Sequence, residues 1–154
     1  MLRRPAPDRS AGTGTDVLLV ACGSMVPMCL AAAERAADQG IDVTVVDPRW
    51  VLPTPREMVA LAAEHRLVVT VEDGGRSGGV GASLASALQD AECDVPVRTL
   101  GLPQQFLEHG SRAQVLAEHG LTEQDVARRI VEWSARLADR AGESVDPAVE
   151  GQQQ

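Results

Sequence analysis

Several residue types are absent or scarce in this 154-residue sequence. It contains no lysine, no asparagine and no tyrosine, and its aromatic residues are one phenylalanine and two tryptophans. Its 14 basic residues are therefore all arginine, they form no long run, and the formal net charge is −8. A surface that follows nucleic-acid phosphates needs clustered positive charge, so neither DNA nor RNA is an expected partner.

The sequence also lacks a long apolar run and a disulfide pattern. Its longest apolar run, around Val17–Cys22, is far shorter than the roughly 20 residues that a membrane-spanning helix needs. The first residues carry two arginines but no apolar core of a secretory signal. Cys22, Cys29 and Cys93 contain no CxxC pair and cannot all form disulfides, which favours a reducing compartment. We therefore expect a cytoplasmic protein without a membrane span.

The composition and patterning indicate one domain with an extension at each end. A chain of this length that is 44% apolar can bury one hydrophobic core. Residues 1–15 are rich in proline, glycine and arginine, which predicts a leader or linker. Residues 16–140 carry the apolar patterns and form the predicted domain. Beyond them no apolar face repeats, so residues 141–154 are predicted to be a disordered tail.

Four short apolar segments have the length and composition of buried strands. The segments between them have the spacing of helices, and this alternation predicts a parallel sheet with helices on both faces. The sequence thus indicates an α/β domain of three layers. The four segments are Val17–Ala21, Val43–Val46, Leu67–Val71 and Val97–Leu100.

Capping residues mark the predicted helix boundaries. Ser24 is placed to cap the first helix, and Gly40 is placed to end it. Thr54 opens a capping-box pattern for the second helix, which is expected to end near His65. A third helix is predicted over residues 78–89.

Two more helices are predicted after the last strand. Ser111 and Thr122 begin capping-type patterns, and Gly120 is placed to end the first of the two helices. The second helix carries an apolar stripe at helical spacing. The stripe consists of Val126, Ile130, Trp133 and Leu137.

A glycine-rich stretch, residues 72–81, joins the third strand to the third helix. Backbone amides at such a place can hold a phosphate group, so a ligand site is one interpretation. The stretch has neither the GK[ST] ending of a P-loop nor the GxGxxG fingerprint. The favoured alternative is that its small residues let the helix approach the sheet or a neighbouring domain closely.

The three histidines, His65, His109 and His119, each follow a glutamate and fall near a predicted helix end. None shows metal-ligand spacing, and a charged histidine is favourable at a helix C-terminus, so structural roles are favoured. His109 stands out because it shares the irregular segment 101–110 with Phe106. In α/β domains, segments after the last strand often carry functional loops.

For two further groups of residues, the sequence predicts packing in the core and an interface, respectively. Cys22 and Cys29 are predicted to be small core residues, because neither has a histidine nearby in the sequence. Asp47, Arg49 and Trp50 follow the second strand and lie at the carboxyl edge of the predicted sheet, where recognition is common. We expect an interface role for these three residues, and composition and spacing indicate no self-contained catalytic group.

Five segments, taken in order, resemble the C-terminal domain of the 1-deoxy-D-xylulose-5-phosphate synthase family, of actinobacterial type. This family belongs to the thiamine-diphosphate enzymes of the transketolase superfamily. The combination of DPRWVLP, VED with GGVG, and GLPQ with FLEHGS is far more specific than any one of these motifs. The segments are Asp16–Val20, Val43–Pro53, Leu67–Gly81, Gly101–Gly110 and Gly120–Ile130.

The resemblance implies a three-layer α/β/α fold with a mostly parallel, mixed sheet of four or five strands. In the family the first strand is an antiparallel edge strand, which would lie within residues 1–15. The resemblance also predicts an interface with the rest of the synthase. The predicted interface residues are Asp47, Arg49, Trp50, Glu72, Asp73, Gly79, Gly81, Phe106, Glu108 and His109.

The family reaction condenses pyruvate with glyceraldehyde 3-phosphate, releases carbon dioxide, and supplies isoprenoid and thiamine biosynthesis. It requires thiamine diphosphate and Mg²⁺, which the family holds through a GDG motif and a later asparagine in an N-terminal domain. This sequence has no GDG and no asparagine. We therefore carry over no catalytic, cofactor-binding or metal-binding residue, and expect the chain alone to bind no cofactor and to be inactive.

Two interpretations of the function follow from the resemblance. In the first, the chain is a C-terminal piece or split-gene subunit of the synthase, whose cofactor-binding domains are partners in cis or in trans, with a homodimer as a further possibility. In the second, it is a free-standing regulatory or scaffolding module that kept the fold and lost the enzyme. A third alternative is a small-ligand binder that uses Gly74–Gly81.

Overall fold

A computed structural model describes residue 2 and residues 15–143 of the chain. Strand and helix alternate along the larger range, as the apolar pattern predicts. A single 3-10 turn, Gly23–Met25, follows the first strand. The elements in chain order are β1 (Thr15–Ala21), α1 (Val26–Asp38), β2 (Val43–Val46), α2 (Arg56–Ala63), β3 (His65–Gly75), α3 (Val80–Asp90), β4 (Val97–Leu102), α4 (Arg112–Glu118) and α5 (Glu123–Glu143).

Within the described residues the sheet has four strands in the order β2-β1-β3-β4, and all neighbours are parallel. The central strand β1 pairs Val17 with Val43 on one side and with Leu67 on the other. The expected fifth strand, within residues 1–15, falls almost wholly outside the described residues. Leu2 is described, and its N–H donates to the Val45 carbonyl at 2.9 Å, on the outer side of β2.

Helices cover both faces of the sheet, which confirms the three-layer α/β/α prediction. Successive strand residues point to opposite faces, so β1 contributes Val17 and Leu19 to one core and Leu18 and Val20 to the other. The first core is closed by α1, α4 and α5, and the second by α2 and α3. The apolar stripe of α5 packs into the first core, with Val126 and Ile130 fully buried and Trp133 and Leu137 partly buried.

The helix boundaries predicted at Ser111, Thr122, Gly40 and Gly120 are confirmed. Ser111 and Gln114 form a reciprocal capping box, and the Thr122 hydroxyl accepts the Asp125 N–H. Gly40 and Gly120 follow their helices with φ of 84° and 66°, a left-handed conformation that glycine adopts without strain.

The predicted caps at Ser24 and Thr54 are wrong. Met25 and Pro55 occupy the N-cap positions of α1 and α2, and neither cap makes a side-chain hydrogen bond. The 3-10 turn delays the start of α1, and the Ser24 hydroxyl donates to Asp73 instead. Local sequence does not reveal this competing partner, because it lies 49 residues away.

Three strands and one helix are longer than predicted, and β1 already begins at Thr15. The strand β3 continues past Val71 to Gly75, because after an irregularity in register its end pairs again with β4 at Leu102. For the same reason β4 extends beyond Leu100. The helix α5 continues to Glu143, past the predicted boundary at residue 141. Residues 144–154 of the predicted tail lie outside the described residues.

Candidate functional site

A functional site is expected at the carboxyl edge of the sheet. Because all four strands are parallel, the loops 22–25, 47–55, 76–79 and 103–111 follow strand ends at one edge. The neighbouring strands β1 and β3 are followed by helices on opposite faces of the sheet. In open α/β sheets this switch point leaves a crevice in which ligands bind.

In this chain a network of side chains occupies the switch point. The Arg112 guanidinium donates to the Asp73 carboxylate at 2.6 Å and to the Ser24 hydroxyl at 3.0 Å. It also approaches the Met25 sulfur at 3.6 Å. The network ties the loop after β1 and the end of β3 to the start of α4, so side chains stand where a ligand would enter.

The N-terminus of α3, which was one candidate site for a phosphate, is capped by a side chain of the same domain. The Glu72 carboxylate accepts the N–H groups of Val80 and Gly81, at 2.9 Å and 3.1 Å, in the first turn of α3. Glu72 is buried. A carboxylate at this position satisfies the free amides and the positive end of the helix dipole, as a bound anion would.

The glycines around Glu72 allow α3 to approach the sheet closely. A Cβ at Gly79 would collide with the Glu72 carboxylate, and a Cβ at Gly81 would collide with the side chains of Thr70 and Thr99. These contacts are internal to the domain. They support the close-packing interpretation of the glycine-rich stretch.

The cysteines at this edge lack the properties of nucleophiles. Burial, with help from the nearby carboxylates of Glu72 and Asp47, raises the pKa of the Cys22 thiol to about 11. Burial likewise raises the pKa of Cys29 to about 12. A reactive cysteine needs a lowered pKa, so neither thiol fits a nucleophile. Cys29 is a core residue as predicted, whereas Cys22 is half-buried against the second core.

The histidines occupy separate positions. His65 is buried at the start of β3, and its Nδ1 lies 2.7 Å from the Leu61 carbonyl in the last turn of α2. His119 is the C-cap of α4, whereas His109 is exposed in the loop after β4. Across residues 15–143 no group of three or more His, Cys, Asp or Glu residues is arranged to hold a metal ion.

Exposed apolar side chains are concentrated in two loops of the carboxyl edge. Trp50 is 65% exposed and Leu52 59% exposed in the loop after β2, with Val51 between them. Phe106 is fully exposed in the loop after β4. Since β2 and β4 are the outer strands, the two loops are separated by about three strand spacings, or about 14 Å. We call these four residues the apolar rim.

The predicted interface residues divide into three groups. Asp47, Arg49 and Trp50 lie in the first rim loop, and Phe106, Glu108 and His109 lie in the second. Asp73 is bound within the Arg112 network. Glu72, Gly79 and Gly81 make contacts inside the domain.

Sequence reasoning missed part of this edge. It did not single out Val51 and Leu52, although they directly follow Trp50 in a segment that has neither strand nor helix spacing. It also missed Arg112, because only the fold brings that residue to Asp73, 39 positions away.

A comparison with models of protein families agrees with the fold. Residues 9–126 match the model of the transketolase C-terminal domain, which is more than half of the chain. The chain belongs to the transketolase C-terminal domain family. Members of this family occur within larger enzymes.

Curated relatives narrow the family assignment. The chain is 54% identical to 1-deoxy-D-xylulose-5-phosphate synthase of Mycobacteroides abscessus, over 97% of the chain and 23% of that protein. It is 56% identical to 1-deoxy-D-xylulose-5-phosphate synthase 2 of Streptomyces coelicolor, over 90% of the chain and 22% of that protein. The chain therefore spans about a fifth of the length of these relatives and corresponds to the C-terminal domain of the synthase.

Solved structures of transketolase C-terminal domains share the fold. A split-gene transketolase, described as an inactive beta4 tetramer, is 32% identical with a TM-score of 0.70, over 77% of this chain and 39% of that one. A Pichia stipitis transketolase mutant has a TM-score of 0.59 at 16% identity, over 84% of this chain and 18% of that one. The second likeness is one of fold alone.

Proposed function

We propose that this transketolase C-terminal domain serves 1-deoxy-D-xylulose-5-phosphate synthase as a docking domain that performs no catalysis by itself. In this account its apolar rim packs against the domains that hold thiamine diphosphate and Mg²⁺. Those domains are supplied in the same polypeptide or by a partner chain. The assembled enzyme condenses pyruvate with glyceraldehyde 3-phosphate.

The apolar rim is the observation that carries the proposal. The sequence has only three aromatic residues, and two of them, Trp50 and Phe106, are exposed at the same edge of the sheet. Aromatic residues contribute most per residue to buried protein interfaces. A chain with so few of them would gain most from burying them, so their exposure favours a covering partner.

The interior of the carboxyl edge supports a docking role over ligand binding. The switch point is closed by Arg112 and Asp73, and the first turn of α3 is capped by Glu72. Both polar arrangements are satisfied within the domain. Outward, the edge presents the apolar rim together with the exposed side chains of Asp47, Arg49, Glu108 and His109.

The residues present do not fit the family's cofactors. The chain has no GDG motif and no asparagine, and its described residues contain no metal-binding cluster. We therefore assign the cofactor contacts to the partner domains. The split-gene transketolase, whose beta tetramer is described as inactive, provides a precedent for a separate chain of this fold.

A cytoplasmic location is part of the proposal. Cys22, Cys29 and Cys93 are all free thiols, which suits a reducing compartment. Within the described helices, none is long and apolar enough to cross a membrane.

A chimeric synthase tests the proposal. In the chimera, this chain replaces the matching segment of the Mycobacteroides abscessus synthase, to which it is 54% identical. We expect the chimera to form 1-deoxy-D-xylulose 5-phosphate, while the chain alone forms none. The double substitution Leu52→Ser with Phe106→Ser should lower the activity of the chimera at least about tenfold, since two rim contacts are lost.

Leu2→Ser provides the matched control for that experiment. Leu2 is a large apolar residue, 49% exposed, that lies beside β2 and belongs to neither rim loop. The control chimera should keep its activity within about twofold. A folded chimera without activity, or one that tolerates the double rim substitution, would contradict the docking role. Copurification of the chain with unrelated proteins, and with no chain that carries the cofactor-binding domains, would favour a free-standing module.

A further inference from the structure

An arginine-lined cleft lies between the edge strand β4 and the helix α5, and none of its lining residues belongs to the apolar rim. Its volume is about 430 Å³, within the range of small-molecule sites. Its lining contains four of the 14 arginines of the sequence and only one acidic residue, Glu132. A protein of net charge −8 thus concentrates positive charge at one concave place. We call this place the arginine cleft.

Three of the four arginines have no acidic partner within residues 15–143. Arg128 is paired with Asp125 at 2.8 Å and with Glu132 at 3.1 Å, so its single positive charge is already met by two carboxylates. By contrast, the side chains of Arg76, Arg98 and Arg129 take part in none of the ion pairs of the described part. Guanidinium groups that line one concave place and form no ion pair of their own favour an anion there.

The fold holds these arginines on rigid elements. Arg98 projects from β4 on the same face as Leu100, toward α5, and its guanidinium also donates to the Val97 carbonyl at 3.0 Å. Arg129 lies on α5 itself. The loop that carries Arg76 is fixed because the Arg76 N–H donates to the Leu102 carbonyl at 2.8 Å, at the end of β4.

The remaining lining suits a small ligand. Trp133 is half-buried and gives the cleft one aromatic surface. Guanidinium groups bind phosphate oxygens through paired, charge-assisted hydrogen bonds. From the unpaired arginines and the concave shape, we propose that the arginine cleft binds a small phosphorylated molecule through Arg76, Arg98 and Arg129.

The site is independent of the docking role. It lies along the outer edge of β4 and on α5, whereas the apolar rim occupies the loops after β2 and β4. Loss of docking with intact anion binding would therefore count against the proposed function alone. Loss of anion binding with intact docking would count against this inference alone.

Intrinsic fluorescence of the full chain tests the site, with inorganic pyrophosphate as the probe. Trp50→Phe removes an exposed tryptophan and leaves Trp133 as the only one, so the signal reports on the cleft. Titration at constant ionic strength should give a saturable change. Arg98→Gln with Arg129→Gln should weaken binding at least about tenfold, because two charge-assisted contacts are lost.

Arg136→Gln with Arg140→Gln is the matched control. Both residues are exposed on α5 and neither lines the cleft, so the double control makes the same change in net charge. It should keep the dissociation constant within about twofold. Equal weakening in both double variants, or no saturable change with pyrophosphate, would overturn the inference. Binding of polyglutamate without binding of pyrophosphate would also overturn it and would indicate an acidic protein segment instead.

Discussion

Gly81 is a residue at which one added methyl group would disturb the packing of α3 against the sheet. A Cβ there would collide with Thr70 and Thr99, both side chains of the sheet. Alanine is the better helix former, but the overlap has to be relieved by shifting β3 or β4. We expect Gly81→Ala to lower the free energy of unfolding by about 1–3 kcal/mol, measured by urea denaturation.

Gly74→Ala is the control for that substitution. Gly74 lies in the same glycine-rich stretch, but nothing stands within 4 Å of its added Cβ. Its change in unfolding free energy should stay within about 0.5 kcal/mol. Equal effects at Gly74 and Gly81 would contradict the close-packing role.

The buried thiols predict an unusual dependence of stability on pH. Cys22 and Cys29 have pKa values of about 11 and about 12 in the folded chain, whereas unfolded thiols ionise near pH 9. As the pH rises above 9, the unfolded state loses these protons first, so the free energy of unfolding falls. The sequence has no lysine and no tyrosine, so these common groups add nothing in the window between pH 9 and 11.

Denaturation at a series of pH values from 8 to 11 measures this effect. Cys22→Ala with Cys29→Ala should flatten the fall in stability. Cys93→Ala leaves both buried thiols in place and should keep it. An unchanged fall in the first variant would show that the thiols do not cause it.

At the residue scale the sequence predicted the kind of packing but not the partners. The small residues of 72–81 indicated a close approach of helix and sheet. The cap of α3 by Glu72 was not predictable in this way. It depends on a chain reversal that brings Glu72 next to Val80 and Gly81, which are eight and nine positions away. Similarly, the cleft needs β4 beside α5, so no local pattern in the sequence reveals it.

At the scale of the elements, two capping patterns of similar appearance differ in the structure. Ser111 forms a capping box with Gln114, whereas Thr54 makes no capping bond because Pro55 occupies the N-cap of α2. We expect Ser111→Ala to cost about 1 kcal/mol of stability. Thr54→Ala should change it by less than about 0.5 kcal/mol. Thermal and urea denaturation of the two variants compare them, and a larger loss at Thr54 would contradict the assigned caps.

The strands and the order of the elements were predictable because they depend on local apolar runs. Val43–Val46 matches its prediction at both ends, since β-branched residues fill it and Asp47 and Pro48 follow. The ends of β3 and β4 were not predictable in the same way. They depend on pairing between Gly75 and Leu102, which are distant in the sequence.

At the scale of the whole molecule, the parallel sheet explains why distant loops form one surface. Trp50 and Phe106 are 56 positions apart, yet both follow strands that end at the same edge. Trp50 was predicted as an interface residue from its place after the second strand, and Phe106 was predicted as one from the family resemblance. Their exposure is a property of the fold, because a strand pattern does not determine how a following loop is covered.

We expect the chain alone to have no Mg²⁺-dependent site for thiamine diphosphate. Calorimetry of the full chain with thiamine diphosphate should show no binding that appears on addition of Mg²⁺. Any binding in the arginine cleft should weaken with Mg²⁺, because the metal neutralises the phosphate charge. Micromolar binding that requires Mg²⁺ would contradict the assignment of the cofactor to partner domains.

Hydrogen exchange of the chimeric synthase, compared with the chain alone, tests the docking of the apolar rim most directly. Amides of residues 47–54 and 104–110 should exchange more slowly in the chimera, because the rim is covered there. Amides of residues 85–93, at the opposite end of the domain from the rim, should be unchanged. Slower exchange confined to other parts of the domain, with both rim loops as exposed as in the chain alone, would contradict the account.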